Sequence, residues 1–267
     1  MELAGKVALV TGGGGGIGAG MAEAFVERGM KVVITDINFD YAKTEAGRIG
    51  AGVLVLQHDV TSLESWSAVK QQAQQAFGDV DLLCNNAGVA QPFKALDAVT
   101  PEEFGRLMSI NVGGVYNGVV TFAPGMRERG CGHIVNTASV NGLLAHATFA
   151  AYSASKFAVA GMSEALRAEL EPFGVGVSIL YPGLTRSRMS ETQQPGLDPK
   201  VAEIIRSRMM QPIWLGRAVA HAVETNVQHI ITHPAHRAQV ELRFRAILAA
   251  HGDPAEPGYA GGSLSGD

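Results

Sequence analysis

Short apolar runs alternate along the chain with longer segments of helical periodicity. The apolar runs are rich in β-branched residues, which is typical of buried strands. Seven strands are predicted, near residues 6–10, 31–35, 53–57, 80–84, 132–138, 175–181 and 228–232. Eight helices are predicted, near residues 17–28, 39–48, 62–77, 101–129, 150–172, 199–210, 215–226 and 235–250. Alternation of this kind predicts a parallel sheet that is covered by helices on both faces.

The pattern shows no internal repeat and no boundary of a second domain. A chain of 267 residues can bury the core of one large α/β domain, so we expect a single domain over residues 1–250. Residues 251–267 are rich in Gly, Pro and Ser, which predicts a flexible C-terminal tail. The alternative is a tail that folds over the cleft of a partner subunit.

Charge and composition exclude several classes of protein. The net charge is −4, so the chain lacks the basic character of a nucleic-acid-binding protein. No apolar run approaches the roughly 18 residues of a membrane span. The first residues lead directly into the first predicted strand and leave no room for a signal peptide. Two cysteines do not form a disulfide framework, and we expect a cytoplasmic protein with no membrane partner.

A glycine-rich turn separates the first predicted strand from the first predicted helix. Thr11 is followed by five glycines, and then by Ile17 and Gly18. Glycines permit a tight turn and the close approach of a pyrophosphate, while the helix N-terminus offers free N–H groups and a partial positive charge. The turn therefore predicts a phosphate site for a dinucleotide, and a flexible glycine loop is the alternative.

An acidic residue ends the second predicted strand. Asp36 lies eighteen residues after Gly18 and is followed by Ile37, not by an arginine. A carboxylate at this position can accept hydrogen bonds from the adenosine ribose of NAD and would repel the additional phosphate of NADP. We therefore expect NAD as the cofactor. The alternative is an aspartate that opens a turn or caps the next helix.

Three residues of the central region predict proton-transfer chemistry. Tyr152 and Lys156 are four residues apart and would project from one face of a helix, and Ser139 precedes the tyrosine by thirteen residues. A nearby ammonium favours the phenolate and lowers the tyrosine pKa, while a serine hydroxyl can hold a substrate oxygen. Such a set can take a proton from an alcohol or return one to a ketone. The alternative is a tyrosine and a lysine on an ordinary amphipathic helix.

Metal-ligand spacing is absent from the sequence. The cysteines, Cys84 and Cys131, have no ligand-like spacing with the scattered histidines, so no metal site is expected. His146 lies between Ser139 and Tyr152, and we interpret it as a residue of the pocket mouth or of the surface.

Taken together, these motifs resemble those of the short-chain dehydrogenase/reductase family, in its single-domain branch. The resemblance implies a Rossmann-type, doubly wound parallel sheet. It covers residues 5 to about 190. The shared motifs are Thr11-Gly-X-X-X-Gly16-X-Gly18, Asp59-Val60, Asn85-Asn86-Ala87-Gly88, Asn111, Ser139, Tyr152-X-X-X-Lys156 and Pro182-Gly183.

The resemblance also implies catalytic roles for four residues. Tyr152 would be the general acid/base, and Ser139 would orient the substrate oxygen. Lys156 would bond the nicotinamide ribose and depress the tyrosine pKa. Asn111, inside a long helix, would hold a water that links Lys156 to solvent.

The cofactor contacts that the resemblance implies follow the strand ends. Asp59 and Val60 would contact the adenine, and the segment 85–88 would line the adenosine side of the cleft. The segment 182–185 would run beside the nicotinamide, with Ser187 where the family often has threonine. The full expected set is Gly12, Gly16, Ile17, Gly18, Asp36, Ile37, Asp59, Val60, Asn86, Ala87, Gly88, Tyr152, Lys156, Pro182, Gly183, Thr185 and Ser187.

The substrate is expected to be apolar. The segment 140–149 is mostly apolar, and residues 184–214 could form a substrate lid. Helix faces that pack on the domain are the alternative. A looser similarity links the chain to dehydrogenases of bulky aromatic secondary alcohols. Arg186 and Arg188 could attract an anion, or could be ordinary surface residues. The apolar lid candidates are Met189, Met209, Met210, Pro212, Ile213 and Trp214.

We therefore expect an NAD-dependent oxidoreductase that interconverts a secondary alcohol and a ketone. The substrate would be medium to large, of an aromatic, terpenoid or steroid-like kind. Alternatives are a carbonyl reductase of the same family and a non-catalytic, NAD-sensing regulator. A homodimer is expected first and a homotetramer second, because the segment after the last strand departs from the family pattern.

Overall fold

Seven parallel strands form one sheet in the order β3-β2-β1-β4-β5-β6-β7. The computed structural model describes residues 1–188 and 199–251. Most of the strand residues are buried, as expected for a parallel sheet with both faces covered. The strands are β1 (Val7–Thr11), β2 (Lys31–Asp36), β3 (Val53–Gln57), β4 (Leu82–Asn85), β5 (Gly132–Thr137), β6 (Val175–Tyr181) and β7 (His229–Ile231).

The connections between the strands are helical. The helices are α1 (Gly16–Glu27), α2 (Phe39–Ile49), α3 (Leu63–Phe77), α4 (Pro101–Met108), α5 (Gly114–Arg129), α6 (Ala150–Leu170), α7 (Pro199–Arg208), α8 (Pro212–Thr225) and α9 (Arg237–Ala249). Short 3₁₀ helices occupy Leu96–Ala98, Val140–Gly142, Glu171–Phe173 and Pro234–His236. The prediction of a doubly wound α/β fold of seven strands is confirmed.

Two apolar clusters fill the space on either side of the sheet. One contains Met21 and Phe25 of α1 together with Val219 and Val223 of α8. The other contains Trp66 of α3 and residues of α5. Both clusters include strand residues, so the sheet is the wall between them.

The chain divides into two units, Met1–His233 and Pro234–Asp267. The first unit holds the whole sheet and helices α1 to α8. In the second, α9 contains no buried residue and exposes Leu242 and Leu248. Residues 252–267, for which a flexible tail is predicted, lie outside the described residues.

One predicted helix is wrong in its interior. The sequence predicts an uninterrupted helix over 101–129, but Ser109–Gly113 forms a π-helical turn between α4 and α5. This turn contains Asn111, whose side chain bonds both backbone groups of Val89. A wider turn of this kind is frequent at functional sites because it re-aims side chains.

The strand order places a crevice beside β1. Its neighbours β2 and β4 lead to opposite halves of the sheet, so their connections leave in opposite directions at the carboxyl end. In open α/β sheets, ligands bind at this switch point.

The stability of the folded chain depends on two buried histidines being neutral. Ser178 Oγ donates its one proton to Val227 O at 2.5 Å. It must therefore accept the hydrogen bond from His133 Nε2, which lies 2.8 Å away. His58 Nδ1 lies 2.9 Å from Thr35 Oγ1. Burial lowers the pKa of His133 to about 3 and the pKa of His58 to about 4.

We expect the free energy of unfolding to fall on acidification below pH 6.5. Between that pH and about 4, the unfolded chain binds two protons that the folded chain excludes, which corresponds to a slope of about 2.7 kcal/mol per pH unit. Urea unfolding between pH 7.5 and 4.5 measures this slope. A His133→Asn variant should lose about half of it, while the exposed His221→Asn should keep it. An unchanged slope in His133→Asn would contradict the assignment.

Candidate active site

The glycine turn joins β1 to the N-terminus of α1. Gly12 has a φ of +66°, and a Cβ there would lie 2.9 Å from Ala87 Cα. A Cβ on Gly18 would lie 2.3 Å from Gly12 O, so both positions require glycine. Gly15 precedes α1 with no side-chain cap, and the first turn of the helix contains no acidic residue. The cradle that a Cβ would fill and the uncapped helix N-terminus fit the pyrophosphate of a dinucleotide.

Polar bonds hold this turn against the end of β4. Thr11 Oγ1 accepts hydrogen bonds from the N–H groups of Asn86 and Ala87 at 2.9 and 3.0 Å. The Asn86 side chain in turn donates to Thr11 O at 3.0 Å. Asn86 is therefore a brace of the turn as well as a residue of the cleft.

Asp36 is fixed at the end of β2. Its Oδ2 accepts a hydrogen bond from Gly14 N, and its Oδ1 accepts one from Asn38 N, both at 2.9 Å. The second bond agrees with the alternative in which Asp36 opens a turn. Both roles are compatible, because the carboxylate also lines the cleft.

One half of the cleft is a cavity of about 450 Å³ at the ends of β2, β3 and β4. Asp59 lies at its edge, and Thr61 donates two hydrogen bonds to Asp59 Oδ1, which lower the pKa of that carboxyl. The lining residues are Gly12, Thr35, Asp36, Ile37, His58, Asp59, Val60, Thr61, Ala87, Gly88, Val89, Arg106, Ser109 and Ile110.

The other half is a cavity of about 470 Å³ that reaches Tyr152 and Lys156. It shares Gly12, Asp36, Ile37, Ala87 and Gly88 with the first half, so the two form one elongated cleft. Its remaining lining residues are Gly14, Gly15, Gly16, Ile17, Asn38, Tyr41, Asn86, Thr137, Ala138, Tyr152, Lys156, Pro182, Ser187 and Arg188.

Tyr152 and Lys156 lie one turn apart on α6, as predicted. Lys156 is 4% exposed, and its Nζ donates to Thr137 O at 2.9 Å. The same Nζ lies 5.7 Å from the centre of the Tyr152 ring. Burial lowers the pKa of Lys156 to about 8.

The pKa of Tyr152 is raised above its ordinary value, which is opposite to the expected depression. Burial penalises the phenolate, and a hydrogen bond with Ser139 acts in the opposite direction but is weaker. Ser139 follows β5, where its Oγ accepts from Asn141 N at 3.1 Å and approaches Pro182 O at 3.5 Å. The serine and the phenol thus stand side by side.

The Asn111 side chain is used to hold the site together. Its Oδ1 accepts from Val89 N at 2.8 Å, and its Nδ2 donates to Val89 O and Ser155 Oγ at 3.0 and 3.1 Å. A Cβ on Gly88 would lie 3.1 Å from Asn111 Oδ1 and 3.6 Å from Lys156 Nζ. A side chain at Gly88 would therefore crowd both the Asn111 amide and the Lys156 ammonium.

The segment after β6 closes one side of the cleft. Pro182 and Ser187 line it, whereas Gly18, Gly183 and Thr185 of the expected set line neither cavity. Gly183 N donates to His233 Nδ1 at 3.0 Å, and Thr185 pairs with Met210 in an isolated β-bridge.

The residues expected to form a substrate lid have different surroundings in the structure. Met209 is buried, and Pro212 at the start of α8 packs against Gly20 of α1, which favours the alternative of helix faces that pack on the domain. Met189 lies outside the described residues. His146 is exposed, as interpreted from the sequence.

Tyr41 is a cleft residue that the sequence did not identify. For Arg188 the sequence left two alternatives, an anion site at the lid and an ordinary surface position. The Arg188 guanidinium lies 3.8 Å from the centre of the Tyr41 ring and donates to Gly14 O. Arg188 therefore lies at the glycine turn.

The described residues provide neither a metal site nor a membrane-spanning helix. In residues 1–188 and 199–251, no group of three His, Cys, Asp or Glu side chains could hold a metal ion. Within the same ranges, no helix has the length and apolar content needed to cross a bilayer.

Known proteins are similar to this chain in sequence. A 3-alpha-(or 20-beta)-hydroxysteroid dehydrogenase from Mycobacterium bovis is 35% identical over 190 residues, which is 71% of this chain and 73% of the relative. An NADP-dependent (R)-specific alcohol dehydrogenase from Lentilactobacillus kefiri is 38% identical over 191 residues, covering 70% and 75% of the two chains.

A solved structure extends the similarity to nearly the whole chain. The crystal structure of a short chain dehydrogenase/reductase from Burkholderia phymatum in complex with NAD matches this chain with a TM-score of 0.85 at 31% identity. The match covers 96% of this chain and 99% of that one. The family model of the short chain dehydrogenases matches residues 6–198. The chain therefore belongs to the short-chain dehydrogenase family, whose members are oxidoreductases that use a nicotinamide cofactor.

Proposed function

We propose that the protein oxidises a secondary alcohol to a ketone, reversibly, with NAD as the cofactor and Tyr152 as the general acid/base. The observation that carries the proposal is the single cleft in which the glycine turn, Asp36 and the pair Tyr152 and Lys156 all meet. Relatives that act on alcohols and hydroxysteroids support the reaction class.

The chain's own residues fit the cofactor along the cleft. The turn 12–16 and the N-terminus of α1 would hold the pyrophosphate, Asp36 would accept from the adenosine ribose, and Asp59 would lie at the adenine. Lys156 would bond the second ribose. Bound there, the nicotinamide supplies the hydride chemistry.

Tyr152 manages the proton of the reaction. When the alcohol is oxidised, its hydroxyl proton would pass to the phenolate oxygen of Tyr152. Ser139, which lies beside the phenol, would hold the substrate oxygen. In the reverse direction the phenol returns the proton to the ketone oxygen, so the same residues serve a carbonyl reductase.

Lys156 places a positive charge near the buried phenol of Tyr152. The pKa of Tyr152 is raised by burial alone, and a cationic Lys156 opposes that effect when the phenolate forms. Asn111 would hold a water between Lys156 and the exterior, as the resemblance to the family implies. The proton of Tyr152 would reach solvent through that water.

Asp36 sets the choice of cofactor in this proposal. We expect Asp36→Ala to narrow the preference for NADH over NADPH by about tenfold or more, because a fixed negative charge no longer faces the additional phosphate. Titration of nicotinamide fluorescence gives both dissociation constants. Asp40→Ala, in the first turn of α2, is the control. An unchanged ratio in Asp36→Ala would show that the preference has another source.

The proposal is tested with purified protein, both reduced cofactors and a panel of secondary alcohols. Tight NADH binding with turnover supports it. Tight binding without turnover across a broad panel favours the alternative of an NAD-sensing regulator, and NADPH preference rejects the cofactor assignment.

A homodimer or homotetramer is part of the proposal. Helix α5 exposes Tyr116 and Val120, one turn apart, with Tyr116 54% exposed. An apolar stripe of this kind fits a helix-to-helix contact between subunits. Light scattering of the full chain measures the assembly.

A further inference from the structure

A row of aromatic rings leads away from the catalytic tyrosine. The Phe149 ring lies 6.2 Å from the Tyr152 ring, and the Phe93 ring lies 4.5 Å from Phe149 with the planes at 74°. We call Phe93 and Phe149 the aromatic wall. The two phenylalanines come from different loops, and both loops meet at the N-terminus of α6.

Hydrogen bonds fix the wall relative to Tyr152. Gln91 is 3% exposed, and its Oε1 accepts from Tyr152 N at 2.9 Å. Its Nε2 donates to Thr148 O and to Lys94 O at 3.0 and 3.2 Å. One buried amide thus joins both loops to the helix that carries the phenol.

The backbone beside the wall is strained. Thr148 has a φ of +65°, which is unusual for a β-branched residue. Strain of this kind persists where the surroundings hold it, and it concentrates at binding and catalytic sites. Lys94 N donates to Thr148 O at 3.3 Å, which contributes to holding it.

The wall lies outside the cofactor cleft. Neither Phe93 nor Phe149 lines the cleft, whereas Tyr152 and Lys156 do. Phe93 is 59% exposed, so its ring is accessible to a ligand. A substrate oxygen held by Ser139 and Tyr152 directs the rest of the substrate past these rings.

We propose that the aromatic wall selects secondary alcohols and ketones with an aromatic ring next to the reacting carbon. The substrate ring packs against Phe93 and Phe149 in the edge-to-face or offset geometry that aromatic rings prefer. This inference rests on the proposed function, and it narrows the substrate from apolar alcohols in general to aryl alcohols.

The test compares two ketones of similar size, acetophenone and cyclohexyl methyl ketone. Each is titrated into the complex of protein and NADH, and binding is followed by nicotinamide fluorescence. Wild type is expected to bind the aryl ketone more tightly. Phe93→Leu keeps an apolar side chain but removes the ring, and it should reduce the preference roughly three- to tenfold.

Two further variants control the experiment. Phe149→Leu should reduce the preference similarly, while Phe173→Leu, an exposed phenylalanine after α6, should leave it unchanged. NADH affinity in Phe93→Leu should equal that of wild type, since Phe93 is outside the cofactor cleft. Equal affinity for the two ketones in wild type, or an unchanged preference in Phe93→Leu, overturns the inference.

Turnover is measured in parallel and separates the two proposals. Oxidation of the panel without an aryl preference keeps the proposed function and overturns the aromatic wall as a selector. If the preference for the aryl ketone depends on Phe93 but no alcohol is oxidised, the aromatic wall is supported as a selector and the proposed oxidation is rejected.

Discussion

Tyr152→Phe is expected to lower turnover by between about a hundred- and ten-thousand-fold, which is the usual contribution of a positioned general acid/base. The phenylalanine fills the same space but cannot accept the alcohol proton. NADH affinity should stay within about twofold, because the contacts of Lys156 and the glycine turn do not need the hydroxyl.

The experiment pairs steady-state oxidation of the best alcohol with NADH titration. Tyr116→Phe removes an exposed hydroxyl from α5 and serves as the matched control, with activity expected near wild type. Retained turnover in Tyr152→Phe would remove this residue from its assigned role. Loss of NADH binding together with turnover would show a structural effect instead.

Lys156→Met is expected to lower turnover about a hundredfold or more and to remove a pH dependence of NADH affinity. Burial lowers the pKa of Lys156 to about 8, so the ammonium is present below that pH and is lost above it. In wild type, NADH affinity should therefore decline as pH rises from 7 to 9.5. The methionine variant should bind more weakly throughout, with no such decline.

The same variant should be no less stable at neutral pH. Below about pH 8 the folded protein keeps a buried charge, and a lowering of the pKa from 10.5 to about 8 corresponds to a cost of roughly 3 kcal/mol. Leaving Thr137 O without its donor takes back about 1–3 kcal/mol. A large drop in the urea midpoint at pH 7, or an unchanged pH profile for NADH, would contradict the proposed state of Lys156.

The strands were predictable because their apolar runs are short, β-branched and bounded by turn residues. Val7–Thr11 and Lys31–Asp36 differ from the predicted ranges by one residue at the ends. The pairing of Tyr152 with Lys156 was equally accessible, since a spacing of four residues has one meaning on a helix.

The features that the sequence did not predict are set by tertiary contacts. The break at Ser109–Gly113 contains Asn111, whose side chain bonds the backbone of Val89 in another part of the chain. The raised pKa of Tyr152 depends on burial, which no local pattern encodes. Gln91 looks like a loop glutamine until the two loops that it joins are seen together.

The π-helical turn at Ser109–Gly113 has a consequence for insertions and deletions. Such a turn contains one residue more than the α-helical hydrogen-bond pattern needs, so deletion of a single residue here would restore a continuous helix. The rest of α5 would then rotate by about 100° relative to α4. This helical stretch therefore has a fixed residue count, on which the position of Asn111 depends.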